Sequence, residues 1–139
     1  MTAASPVEVL VSEARQAMQS AYAPYSGFRV GAALRSAKGG VYSGCNVENV
    51  SFPIGVCAER NAIAAAVRAE GPDFSLEAIA VVASSGAGDL VPLTPCGACR
   101  QAILEFGERA RVVRVDAAGG ATEIAIGELL PDAFSFEPG

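Results

Sequence analysis

The chain has 139 residues, about half of them apolar, a formal net charge of −5 and no histidine. That length is one ordinary domain, residues 1–139, with enough chain to bury a core, and the acidity argues against a nucleic-acid partner. The absence of histidine excludes Ser-His-Asp and Cys-His catalysis and any imidazole metal ligand, so base chemistry near neutral pH must come from a carboxylate, an amine, a thiol or a metal-held water.

Ser5-Pro6-Val7-Glu8 reads as a capping box with proline at the first helical position. Val7, Leu10, Val11, Ala14, Met18 and Ala21 continue at helical spacing, and Tyr22 to Gly27 ends this amphipathic helix. Phe28, Val30, Ala32 and Leu34 alternate with Arg29, Gly31, Ala33 and Arg35, the pattern of a strand. Lys38-Gly39-Gly40 turns the chain, and Val41 to Cys45 returns as the second arm of an antiparallel hairpin. After a loop over 46–55, an alanine-rich helix runs over 56–70 and stops at Gly71-Pro72. Glu59, Ala62, Ile63, Ala66 and Val67 share one of its faces, which puts a carboxylate at the head of a core-facing stripe.

Residues 76–83 form a nearly unbroken apolar run, suited to a central strand covered on both sides. A loop over 84–93 contains Gly86, Gly88 and Pro92. The next helix runs from about Cys96 to Arg109, with Cys96, Cys99, Ile103 and Phe106 on one face. Arg111 to Val115 and Thr122 to Ile126 are two more strands, and the turn between them is too short for a parallel crossover, so as neighbours they are antiparallel. Gly127 to Leu130 adds one helical turn, and the tail carries Phe134 and Phe136. The order α-β-β-α-β-α-β-β is an α/β fold, one sheet packed by helices.

Two stretches carry the chemistry, Val56-Cys57-Ala58-Glu59-Arg60-Asn61 and Thr94-Pro95-Cys96-Gly97-Ala98-Cys99-Arg100. A Cys-x-x-Cys pair serves either a redox dithiol or a metal site. Its position after the third strand, with Cys57 at another helix start, favours zinc. Three thiolates can hold the ion and leave one coordination position for water, with Glu59 in reach of it. Both cysteine groups lie at helix N-termini, which lowers thiol pKa values. Three thiolates on a divalent ion leave a net negative site, and Arg60 can offset this by donating to the sulfurs. The alternative is a closed site with Cys45 as fourth ligand, in a non-catalytic binding module stabilised by zinc. Cys45 ends a hairpin strand outside any close-spaced pair and equally suits a small buried apolar role.

These motifs resemble those of the small, homotetrameric, zinc-dependent cytidine deaminases, in the cytidine/deoxycytidylate deaminase superfamily. Further stretches carry the likeness over nearly the whole chain: Ala21 to Ser26, Val30 to Ala33, Gly44 to Asn49 and Leu129 to Phe134. The resemblance implies a three-layer α-β-α sandwich on a five-stranded mixed sheet, and a homotetramer with active sites at subunit interfaces. It implies one Zn2+ per subunit on Cys57, Cys96 and Cys99, and hydrolytic deamination of cytidine and 2′-deoxycytidine with release of ammonia, an aminohydrolase reaction of pyrimidine salvage. In such enzymes a zinc-held hydroxide attacks C4 of the pyrimidine while a glutamate, here Glu59, shuttles protons. By the same likeness the Ala58 backbone N–H binds the base carbonyl and Phe28 packs on the base. Asn46 and Glu48 bind the ribose 3′-hydroxyl, and Phe134 reaches a neighbouring subunit's site.

Phe52 departs from the tyrosine found in many relatives, and the ending Ser135 to Gly139 is short, as in the blasticidin S deaminases. Asn46-x-Glu48 argues for an ordinary ribose over that antibiotic. Relatives acting on tRNA or single-stranded DNA usually have a histidine ligand and a helix between the last strands, both missing from this reading. The expected substrate is therefore a free nucleoside, with neither nucleic acid nor membrane as partner. No apolar run approaches the ~20 residues of a membrane span. Met1 to Pro6 lacks a basic segment followed by an apolar one, so the expected compartment is the cytoplasm.

Overall fold

The computed structural model describes residues 3–137; Met1, Thr2, Pro138 and Gly139, and with them part of the expectations for residues 1–6 and 135–139, lie outside the described residues. The elements are α1 (Pro6–Met18), β1 (Arg29–Ser36), β2 (Val41–Cys45), α2 (Ala58–Glu70), β3 (Leu76–Ser84), β4 (Leu90–Val91), α3 (Gly97–Phe106), β5 (Arg111–Val115), β6 (Ala121–Ala125) and α4 (Ile126–Leu129). Among the described residues no helix is long and apolar enough to cross a membrane.

The sheet order is β2-β1-β3-β5-β6, with β4 pairing onto β3 beside this path. Among the strands of the described residues, only β3 and β5 run parallel, and α3 supplies the crossover that a parallel pair requires. The hairpin β1–β2 and the pair β5–β6 are antiparallel, as expected from their short turns. The five expected strands are joined by a short sixth, because Ser85 to Asp89 closes a tight hairpin that returns Leu90 and Val91 onto Ser84 and Ala83.

Side chains alternate between the two faces. Ala33, Ala78, Ala80, Val82 and Val113 meet Leu10, Ala14 and Met18 of α1. Ala32, Leu34, Ile79 and Val112 meet Ala58, Ala62, Ile63 and Ala66 of α2 and Ile103 of α3. These are the three layers. The expected capping box starts α1, with Glu8 N–H donating to Ser5 Oγ and Ser5 N–H to Glu8 Oε2, each at 3.1 Å.

Two glycines of the hairpin set how closely the helices approach. A Cβ at Gly31 would stand 1.9 Å from the Ala14 carbonyl oxygen of α1, and one at Gly44 would stand 2.5 Å from Ala62 N and 2.8 Å from Ala58 O of α2. The first turn of α2 thus rests on bare backbone. Gly44→Ala is expected to destabilise the fold by about 1–3 kcal/mol, the usual cost of overpacking. Because it displaces the turn that carries Glu59, it should also lower activity more than Gly31→Ala, which disturbs the opposite layer. Denaturant midpoints and turnover measured on both variants check this.

Candidate metal centre

Helices α2 and α3 begin side by side, with Cys57 and Cys96 at their N-cap positions and Cys99 in the first turn of α3. Neither N-cap sulfur accepts from its own helix, so the thiols are left for another role. The sulfurs of Cys57, Cys96 and Cys99 all lie within 4.8 Å of one another, and Cys57 and Cys96 are 3.9 Å apart. Tetrahedral thiolates at about 2.3 Å from zinc stand about 3.8 Å from each other, so this donor set fits the ion. The cluster accommodates one zinc per subunit. Cys45 is not part of it; it ends β2, where its carbonyl accepts from Asn61 Nδ2 at 2.8 Å.

The electrostatics separate the three thiols. Arg60, expected beside the sulfurs, donates from Nη2 to Cys57 Sγ at 3.6 Å. A hydrogen bond from the Cys99 thiol, aided by the Arg60 guanidinium, lowers the Cys57 pKa to about 5 against the opposing effect of burial. Cys99, fully buried, is pushed above the usual thiol range because it donates to Cys57, because burial disfavours its charge, and because Glu59 lies nearby. A divalent cation taking the place of that proton releases it on binding.

Glu59 is 3% exposed, as its position on the apolar stripe of α2 suggested. Burial, more than the neighbouring Cys57 charge, raises its pKa, while its own backbone N–H opposes the shift. A carboxyl held above its ordinary range can both take and return a proton.

A cavity of about 250 Å³ opens on this cluster, lined on one side by Cys57, Cys96, Ala58 and Glu59 and on the other by Phe28, Asn46 and Glu48. Seven of the nine residues expected to hold metal or substrate, or to move protons, thus line one cavity, and Cys99 joins two of them in the thiol cluster. Ala58 is the first residue of α2, and its N–H precedes the first intrahelical bond, from Asn61 N to Cys57 O at 3.1 Å. Asn46 Nδ2 donates to Phe28 O at 2.9 Å while its Oδ1 accepts from Val30 N–H at 2.8 Å, so this side chain also fixes the entry to β1. Glu48 accepts from the Tyr25 and Ser26 N–H groups at 2.9 and 3.1 Å and from the Ser26 hydroxyl. The hydrogen bond from the Ser26 hydroxyl, with those from the two N–H groups, holds its carboxyl below the ordinary range against burial. Phe134 is the exception. It lies in a larger cavity of about 570 Å³ with Gln101, Leu104 and Leu130, and the residue is 74% exposed.

Several residues here carried no assigned role in the sequence. Leu93, Thr94 and Ser26 line the smaller cavity. Arg100 holds the metal loop, donating to Pro95 O at 2.7 Å, Thr94 Oγ1 at 3.1 Å and Leu129 O at 2.8 Å. Its adjacency to Cys99 was the one available signal.

Residues 5–115 match the family model described as the cytidine and deoxycytidylate deaminase zinc-binding region. Among curated relatives, the cytidine deaminase of Sporosarcina psychrophila is 44% identical over 132 residues, 94% of this chain and 93% of that one. That of Mycobacterium tuberculosis is 40% identical over 129 residues, covering 93% and 90% respectively. The crystal structure of cytidine deaminase from Burkholderia pseudomallei superposes with a TM-score of 0.80 at 44% identity, over 91% of this chain and 97% of that one. The M. tuberculosis crystal structure gives a TM-score of 0.79 at 39% identity, over 96% and 100%. Sequence, fold and a three-sulfur cluster spaced for zinc agree, and the chain belongs to the cytidine and deoxycytidylate deaminase family.

Proposed function

We propose that this chain is a zinc-dependent cytidine deaminase, hydrolysing cytidine and 2′-deoxycytidine to uridine and 2′-deoxyuridine with release of ammonia. The observation that carries this reading is the single cavity shared by the thiol cluster, the buried Glu59 and the Asn46–Glu48 pair. Zinc on Cys57, Cys96 and Cys99 supplies the Lewis acidity that lets a water ionise near neutral pH. As a water oxygen adds to C4, Glu59 would take one of its protons and pass it to N3 of the pyrimidine, then take the remaining proton of that oxygen and pass it to the 4-amino nitrogen, which leaves as ammonia. The Ala58 N–H donates to the base carbonyl, Phe28 packs against the ring, and Asn46 and Glu48 hold the ribose 3′-hydroxyl. Arg60 draws charge from Cys57, which leaves the metal a stronger acid than three unassisted thiolates would.

The proposal extends to assembly. A cavity of about 250 Å³ is smaller than the ~300–1,000 Å³ usual for ligand sites, so one chain encloses a nucleoside only in part. Exposed Phe134 suits the missing wall of a neighbouring subunit's site, in a homotetramer. The net charge of −5 and the lack of a histidine ligand favour a free nucleoside over a polynucleotide.

The test is an ultraviolet assay with cytidine, deoxycytidine, free cytosine, dCMP and blasticidin S side by side, run on the wild type and on Cys45→Ser. Both nucleosides should be converted with stoichiometric ammonia, and Cys45→Ser should keep its zinc and its rate within about twofold, as for a side chain outside the site. Conversion of neither nucleoside sinks the proposal, and loss of zinc from Cys45→Ser revives the closed four-thiolate module.

A further inference from the structure

One exposed hydroxyl ties together the side of the cavity formed by Phe28, Asn46 and Glu48. Ser26 Oγ donates its only proton to Glu48 Oε2 and accepts from the Phe28 N–H at 3.0 Å. Tyr25 and Ser26 N–H groups occupy Glu48 Oε1 at 2.9 and 3.1 Å. A carboxylate offers about four lone-pair directions, and this turn takes three of them. The direction left free is on Oε2, whose plane the Ser26 hydroxyl sets. Phe28 is tied in turn to Asn46, whose Nδ2 donates to the Phe28 carbonyl at 2.9 Å. Glu48, Ser26, Phe28 and Asn46 thus form one connected chain of hydrogen bonds, in which Ser26 supplies the link between Glu48 and Phe28. The backbone that presents the hydroxyl is itself fixed: Gly27 sits at φ +75° and donates to Ala23 O at 3.0 Å.

We infer that Ser26 is a positioning residue for substrate, whose hydroxyl holds the Glu48 carboxylate and the Phe28 backbone in one arrangement so that both meet the same nucleoside. The inference rests on the function proposed above. Without the hydroxyl, the two N–H groups still hold Oε1 but Oε2 keeps no partner from this turn, and the ribose must complete its ordering at the moment of binding. The loss falls on binding, because Ser26 touches neither the sulfurs nor Glu59 in the hydrogen-bond network.

The experiment measures kcat and KM for cytidine, zinc content and Tm for the wild type, Ser26→Ala, Ser26→Thr, Glu48→Gln and the Ser26→Ala/Glu48→Gln double variant. Ser26→Ala should raise KM about tenfold, the worth of a hydrogen bond to a charged group, with kcat within about twofold. Tm and zinc should be unchanged, and Ser26→Thr should restore KM. In the Glu48→Gln background the alanine change should add less than about twofold, since the partner it orients is already altered. An unchanged KM in Ser26→Ala, a loss in Ser26→Thr equal to that in alanine, or full additivity in the double variant overturns the inference alone. A wild type inactive on cytidine overturns it together with the function beneath it, which keeps the two failures apart.

Discussion

Glu59→Gln is expected to abolish turnover while leaving zinc and fold in place. Glutamine keeps the size and an acceptor oxygen but cannot take up and return a proton. General acid–base catalysis by one group contributes about 10²–10⁴-fold, and a residue that serves several successive proton transfers belongs at or beyond the upper end. The side chain is 3% exposed and heads the packed stripe of α2, so alanine or aspartate would confound the result with a cavity or a retracted carboxyl. The measurement is kcat/KM on cytidine alongside metal content and Tm. A glutamine variant within tenfold of wild type, fully loaded with zinc, would sink the proton-shuttle assignment.

The second large effect is expected from Cys99→Ser. This residue is fully buried in the first turn of α3, so a water is poorly placed to replace its sulfur as a ligand. Loss of an outer-shell partner costs about 10–100-fold in metal affinity, and loss of a direct ligand should exceed that. Arg60→Gln, which removes a donor to the sulfurs and no ligand, should fall within the smaller range. Competition with a chelator of known affinity ranks the two. Zinc that binds the folded chain and not the unfolded one stabilises it by mass action, so Cys99→Ser should also lose the dependence of Tm on added zinc. Equal affinities in the wild type and Cys99→Ser would show that the ion sits elsewhere.

The parts of this protein legible in its sequence are those set by short-range chemistry. Ser5 and Glu8 announced a capping box, Lys38-Gly39-Gly40 announced a hairpin, the turn from Asp116 to Ala121 was too short for a parallel pair, and the burial of Glu59 followed from helical period together with its place beside Cys57. The departures come from contacts distant in sequence. Helix α1 stops at Met18 and does not carry its stripe to Ala21, because Tyr22 leaves to bridge with Val47 and its N–H donates to Asn46 O at 3.0 Å. Helix α3 ends at Phe106 and not near Arg109, for Gly107 is pressed against Leu76 O, where a Cβ would come within 2.2 Å. The last strand ends one residue early, since Ile126 is drawn into the core as the start of α4. Two residues of β4 are too few to show alternation. Within the site, cysteine spacing disclosed the cluster, but the link through Ser26 joins residues 22 apart and could be seen only after folding.

The uncapped starts of α2 and α3 have a consequence for how far this fold can be strengthened. Serine, threonine, asparagine and aspartate at an N-cap are each worth about 1 kcal/mol over a residue that cannot accept, so the two helices together forgo about 2 kcal/mol. Selection for sturdiness alone would replace Cys57 and Cys96 first, and either replacement would dismantle the cluster. The chain therefore leaves these two helix starts uncapped where its chemistry lies, and any gain in robustness has to be found away from the cluster, as at the uncapped Ala125 that begins α4.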